Sequence, residues 1–211
     1  MKQIRFNENC RQCDRLANFL DGVRQDYPAY HARAVSPFGA RDPGLLIVGL
    51  APGLHGANAT GRPFTGDYAG VLLYQTLYDF GFSNQPTSSH LQDGLKLKDC
   101  RITNAVKCLP PENKPLGEEV RRCNSYLAEE LQDLPAGAVV LALGAIAHGA
   151  VLRALGLKAK VYPFGHGHEF PLPEGGWLVT SYHCSRYNTQ TRRLTESMFR
   201  DIFTQVRRRL A

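Results

Sequence analysis

Apolar positions recur every three or four residues over 10–26, where Leu16, Phe19, Leu20 and Val23 share one face until Pro28 ends the pattern. That spacing predicts a first helix. Leu45–Leu50 differs: a short continuous apolar run ending in Ala-Pro-Gly reads as a strand buried on both faces that feeds a loop at its carboxyl end. The two signals alternate downstream. Residues 70–80 read as a helix with Leu73, Leu77 and Phe80 on a common face, 81–98 as a connection, 100–106 as a strand and 118–131 as a helix. A strand over 138–143, a helix over 146–155, a strand over 177–182 and a helix over 191–210 follow.

This order predicts an α/β fold, a three-layer α/β/α sandwich around a mainly parallel sheet of four strands. In such open sheets the ligand crevice lies outside the carboxyl ends of the strands, so loops 50–68, 104–116, 164–168 and 183–191 are expected neighbours. A chain of 211 residues, 43% of them apolar, suits a single domain over 1–211. Its 25 Lys and Arg against 19 Asp and Glu give a formal charge of +6, a modest pointer toward an anionic partner such as nucleic acid. The start, Met1-Lys-Gln-Ile-Arg-Phe-Asn-Glu, has no apolar segment, and the chain has no run of about 18 apolar residues. The expectation is a cytoplasmic protein without a membrane partner, with a monomer as the default.

Residues 49–67, Gly-Leu-Ala-Pro-Gly-Leu-His-Gly-Ala-Asn-Ala-Thr-Gly-Arg-Pro-Phe-Thr-Gly-Asp, carry five glycines and two prolines directly after a buried strand. Such a loop brings backbone close to a ligand while presenting His55, Asn58, Phe64 and Asp67. It lacks both the Gly-Lys-Ser/Thr of a P-loop and the spacing of a dinucleotide fingerprint, which disfavours a nucleotide hydrolase. Phe64 can plug a gap or offer a stacking face for a planar ring. Asp67 can cap the helix that follows, or serve as an anionic group at a reaction centre. Asn104 ends a strand with an amide able to read the edge of a base, and His183 ends another with an imidazole able to stabilise a leaving-group oxygen. Arg186, Arg192 and Arg193 flank the last loop with Tyr187 between them, suiting phosphate contacts and insertion of a side chain into a duplex.

The six cysteines include a Cys10-x2-Cys13 pair, and Cys108 and Cys123 lie far downstream around Pro110, Pro111 and Pro115. In a reducing compartment, four thiolates gathered from distant segments suit structural zinc or a [4Fe–4S] cluster, and spacing alone does not choose. Cys100 and Cys184 are left over.

Taken together, these residues resemble the uracil-DNA glycosylase superfamily, specifically its prokaryotic type-B branch, family 5. Gly49-Leu-Ala-Pro-Gly, His55-Gly-Ala-Asn and Thr60-Gly-Arg-Pro-Phe-Thr-Gly-Asp67 resemble that branch's first motif. Thr103-Asn-Ala-Val-Lys-Cys-Leu-Pro-Pro-Glu-Asn-Lys-Pro115 resembles the strand and cluster loop shared with family 4, and His183-Cys-Ser-Arg-Tyr-Asn-Thr-Gln-Thr-Arg-Arg-Leu-Thr195 the third motif. The resemblance implies a monofunctional glycosylase that flips uracil, and deaminated purines such as hypoxanthine and xanthine, out of double-stranded DNA for base excision repair. It implies Asp67 and His183 as catalytic residues and Phe64, Asn104, Gly49, Ala51 and His55 around the base. Arg186, Tyr187, Asn188, Arg192 and Arg193 would face DNA, and Cys10, Cys13, Cys108 and Cys123 would hold a [4Fe–4S] cluster in place of zinc. Leu50 stands where family 4 has its water-activating Glu, leaving Asp67 as the replacement. Three positions depart from the pattern. Ala59 stands where Arg is frequent, Cys184 replaces a Pro, and Arg192 replaces a Gly, which should disfavour a positive φ there. A non-catalytic damaged-DNA binding module, or an iron–sulfur electron carrier, is the alternative.

Overall fold

The computed structural model describes residues 6–211. Residues 1–5 of the amino-terminal stretch read above lie outside the described residues. Seven α-helices and six strands follow one another: α1 (Asp14–Asp26), β1 (Phe38–Gly39), β2 (Leu45–Gly49), α2 (Ala57–Thr60), α3 (Tyr68–Asp79), β3 (Cys100–Asn104), α4 (Gly117–Gln132), β4 (Val139–Leu143), α5 (Ala145–Ala154), β5 (Glu169–Pro171), β6 (Trp177–Ser181), α6 (Arg186–Gln190) and α7 (Glu196–Leu210). Among the described residues no helix is long and apolar enough to cross a membrane.

The strands form one sheet in the order β1-β3-β2-β4-β6-β5. Its parallel centre, β3-β2-β4-β6, is the expected set of four, and antiparallel β1 and β5 extend it at the two edges. The sheet therefore has two strands more than expected, because segments of two and three residues are too short to show an alternation. Period-2 geometry splits the central strands between two cores. Leu45, Ile47, Ile102, Leu141 and Val179 face Leu73 and Leu77 of α3 and Phe199, Ile202, Phe203 and Val206 of α7. Leu46, Val48, Val140, Ala142 and Leu178 face Leu127 and Leu131 of α4 and Ala147, Ala150 and Val151 of α5. A smaller cluster beneath α1 joins Leu20, Val23, Ala32 and Leu109.

Parallel pairing brings the carboxyl ends of the strands level: Gly49 pairs with Asn104 and Leu143 with Ser181. The helix expected over 191–210 begins at Glu196, and the loop expected over 183–191 contains a short helix, α6. Ser185 caps α6, its hydroxyl accepting the Asn188 N–H, and Thr195 caps α7 by accepting from Met198. These two caps begin helices on either side of Leu194, whose burial in the core fixes the corner between them.

Candidate active site

An open pocket of about 470 Å³ lies at the carboxyl edge of the sheet, lined by residues that include Leu50, Ala51, Phe64, Asp67, Asn104 and His183. Of the expected loops, 164–168 does not line it; the turn after β4, Leu143–Ala147, does. The reason is topological. Loop 164–168 leads into antiparallel β5, outside β6, whereas the carboxyl end of β4 sits at the sheet's centre.

Phe64 reaches the pocket on a backbone with φ of 56°, a left-handed conformation that must be held by its surroundings. Tyr74 Oη donates to the Pro63 carbonyl at 2.7 Å, and Thr65 and Ser88 hydroxyls meet at 2.6 Å. Arg62, fully buried, donates to both Asp93 oxygens (2.8 and 3.0 Å), to Ser88 Oγ and to the Leu91 carbonyl, with its guanidinium 4.5 Å from the Phe38 ring centroid. Burial would raise the Asp93 pKa, but Arg62 and the N–H groups of Ser89, Leu95 and His90 hold it well below the carboxylate range. Gly49 is required because a Cβ there would lie 2.5 Å from Asn104 Oδ1 and 2.7 Å from Phe64 Cζ. It therefore shapes the pocket floor without lining it.

Asp67 occupies the N-cap position of α3, yet its side chain makes no cap hydrogen bond. Its Oδ2 accepts the Ala57 N–H at 3.0 Å instead. The carboxylate fits there because residues 53 and 56 are glycines; a Cβ at either would collide with it. Burial raises the Asp67 pKa, and the Ala57 N–H opposes that rise. Leu50, at the position of the family 4 Glu, lines the same pocket as Asp67.

Asn104 is buried, and its Oδ1 lies over Gly49 at the pocket floor. His183 lines the same pocket, its ring within 21° of parallel to Phe64 with centroids 5.8 Å apart. Burial pushes the His183 imidazolium down to about 4, so the ring is neutral at pH 7, and its Nδ1 is covered without a partner. The amide, the carboxylate and the neutral imidazole thus converge on a mostly apolar cavity, an arrangement that orients a planar polar ring and stabilises charge developing on it.

His55 lies outside the pocket. Its exposed ring bonds the Tyr30 hydroxyl through Nδ1 at 2.8 Å and meets the Tyr27 and Tyr30 rings edge-on. Ala51 and Arg186 line the pocket. The reading of the residues missed Tyr68, Asn113, Ser185 and the Leu143–Ala147 wall. Asn113 carried a faint signal, as part of the Pro-Pro-Glu-Asn-Lys-Pro loop, where it and Glu112 both take positive φ.

The profile of the Uracil DNA glycosylase superfamily matches residues 36–207. The chain belongs to that superfamily. It is 45% identical to the Type-5 uracil-DNA glycosylase of Thermus thermophilus, over 94% of this chain and 93% of that one. It is 41% identical to the Type-5 uracil-DNA glycosylase of Pyrobaculum aerophilum, over 94% and 88%. The Type-4 uracil-DNA glycosylase of Archaeoglobus fulgidus is more distant, at 28% over 94% and 89%.

In this member of the superfamily the last loop rises beside the pocket. Tyr187, 70% exposed, stands at the start of α6 next to Arg186, whose guanidinium lies 5.8 Å from the Tyr68 ring centroid. Arg193 sits 4.6 Å over the Tyr182 ring. Asn188 is turned inward, donating to the His183 carbonyl at 2.8 Å, which fixes the backbone of the imidazole. Arg192 does adopt a positive φ, 57°, the conformation its side chain was expected to disfavour, so this loop carries strain. Cys184 is fully buried in the core and its thiol is pushed up to about 12 by burial. Its burial in the core anchors the backbone after His183.

Cys10, Cys13, Cys108 and Cys123 line one small enclosed cavity and are all free thiols. As placed, among the described residues, no three His, Cys, Asp or Glu side chains form a group that could hold a metal ion. Burial pushes Cys13 up to about 11 and Cys108 up to about 12, each with a further push from Cys123, and burial also raises Cys123. The Lys107 N–H donates to Cys123 Sγ at 3.3 Å. A salt bridge and a hydrogen bond clamp the surrounding segments: Arg15 of α1 pairs with Glu119 of α4 at 2.8 Å, and Arg122 donates to the Gln12 carbonyl at 2.6 Å.

Proposed function

We propose that this protein is a monofunctional uracil-DNA glycosylase that removes uracil, and deaminated purines such as hypoxanthine and xanthine, from duplex DNA. The observation that carries the reading is the convergence of Asp67, Asn104, Phe64 and His183 on one pocket at the carboxyl edge of the sheet. The pocket's volume, about 470 Å³, leaves room for a purine as well as a pyrimidine.

The nucleotide leaves the stack first, at a cost of a few kcal/mol that is smaller in a mispair. Its base enters between the Phe64 face and the Asn104 amide. The C1′–N bond then breaks with its electron pair leaving on the base. Neutral His183 donates an N–H to the base oxygen that gains charge, without protonating it outright. Asp67 offsets the positive charge on the sugar and orients a water, whose oxygen bonds C1′ and whose proton passes through the carboxylate to the departing base or solvent. None of the residues lining the pocket is a lysine, which favours hydrolysis over a covalent lyase step.

The four cysteines fit a thiolate-ligated group in kind, being free, clustered on one cavity and drawn from segments that an ion pair and a hydrogen bond already hold together. Cys10, Cys13, Cys108 and Cys123 would hold a [4Fe–4S] cluster, which would supply a fixed cross-link between α1, the 109–116 loop and α4. Ligation requires deprotonated thiols, and burial holds Cys13, Cys108 and Cys123 protonated, so loading releases protons.

Single-turnover incubation with duplexes carrying one uracil or one hypoxanthine, followed by alkaline cleavage, tests the reading. Strand breaks at the lesion are expected. Lesion-dependent binding without abasic product would favour the damaged-DNA binding module instead.

A further inference from the structure

His55 belongs to the glycine-rich first motif but does not face the base. We infer that the Tyr30–His55 pair is a positioning brace for Asp67, acting through the turn 53–57. The inference rests on the catalytic role proposed for Asp67.

The brace can be followed atom by atom. Tyr30 Oη and His55 Nδ1 are 2.8 Å apart. Tyr30 is stacked on Tyr27, with centroids 4.7 Å apart and planes within 15°, and both rings pack on the Leu20, Val23, Ala32 and Leu109 cluster. The neighbouring backbone clamps α2 just beyond that turn: His31 N–H donates to Ala59 O and Ala32 N–H to Asn58 O, each at 3.0 Å. Between these holds lies Ala57, whose N–H is the group that meets Asp67 at 3.0 Å. Glycines at 53 and 56 admit the carboxylate and leave this turn little stiffness of its own. External bracing supplies what the glycines withhold.

The consequence is electrostatic. A hydrogen bond to the ionised carboxylate favours that form, so an accurately placed Ala57 N–H keeps Asp67 ionised to lower pH than its burial would allow. The other titratable groups near Asp67 come from α3 itself and from the segment 183–186. Cys184 is close enough for the carboxylate to raise its pKa, and Tyr68, His183 and Arg186 line the shared pocket. α2 itself contributes none, its residues being Ala-Asn-Ala-Thr. Removing the Tyr30 hydroxyl alters none of these groups directly.

The test compares single-turnover excision of uracil from pH 4.5 to 9 in the full-length wild type, Tyr30→Phe, His55→Ala and His55→Asn. Tyr30→Phe keeps the stacked ring and removes only the hydroxyl. Asn at 55 places an amide near the position of Nδ1. Tyr30→Phe and His55→Ala are expected to move the acid limb to higher pH, with rates about 2- to 10-fold lower on that limb and equal to wild type on the plateau. His55→Asn is expected to restore the wild-type profile. A uniform loss at every pH, or no change in either variant, would overturn the brace. Titration of the Asp67 carboxyl by carbon NMR, assigned with Asp67→Asn, reads the same effect without turnover. An upward move in Tyr30→Phe supports the brace even if the wild type excises no base, and an unmoved titration overturns it even if the enzyme is active.

Discussion

The carboxylate of Asp67 turns away from the helix whose N-cap position it occupies and accepts the N–H of Ala57 from a different helix, at 3.0 Å. An Asp immediately before a helix ordinarily serves that helix. Here the side chain is committed to the pocket, and the glycines at 53 and 56 exist to let it reach.

The first prediction concerns that fit. Gly56→Ala would drive a methyl into the carboxylate, so it should impair excision nearly as much as Asp67→Asn, which is expected to lose about 100- to 1000-fold, the range for removing one preorganised electrostatic contact. Single-turnover rates measure both. Circular dichroism should show the fold retained.

His183 supplies a pH signature. Its folded pKa is depressed to about 4 by burial, against about 6.5 for a free histidine. Between these values the unfolded chain binds a proton that the folded chain does not, so stability should fall as pH drops through that window. Urea unfolding from pH 7 to 4 should show a shallower fall in His183→Gln than in wild type. In catalysis the neutral ring should impose no limb of its own between pH 5 and 8.

Arg62→Ala leaves Asp93 buried without its partner, in a pair whose side chains are 3% and 6% exposed. A loss of about 3–5 kcal/mol is expected, read by urea denaturation. Arg62→Lys should recover little of it, since an ammonium reproduces neither the fork to Asp93 nor the flat contact with Phe38.

Arg192 carries a left-handed backbone, φ 57°. Arg192→Gly relieves that strain and should stabilise the fold by about 0.5–1 kcal/mol. If Arg192 also touches a phosphate, the same variant should lower the salt dependence of DNA binding by about one unit of log–log slope.

Protein purified without oxygen should contain iron and acid-labile sulfide in equal amounts. Cys123→Ala should lose both and loosen the 109–116 loop to protease. One zinc per chain and no sulfide would replace the cluster with a zinc site.

The periodicity of the chain foretold the sandwich, the four parallel strands and the helices between them, because buried strands and amphipathic helices leave repeating apolar signals over five or more residues. Edge strands of two and three residues leave none. Asp67, Asn104, Phe64 and His183 were legible as candidates because each ends a strand or closes a glycine-rich loop, and parallel pairing brings such ends to one edge. By itself, then, the sequence determined the fold class, the edge that carries the pocket and the residue types that converge there. Only the tertiary structure decided which way each side chain turns: Asp67 toward Ala57, His55 outward to Tyr30, Asn188 inward to His183. Those directions depend on partners 5 to 25 residues away in the chain, and on glycines whose missing side chains create space. No local pattern records a contact between segments that meet only once the sheet has formed.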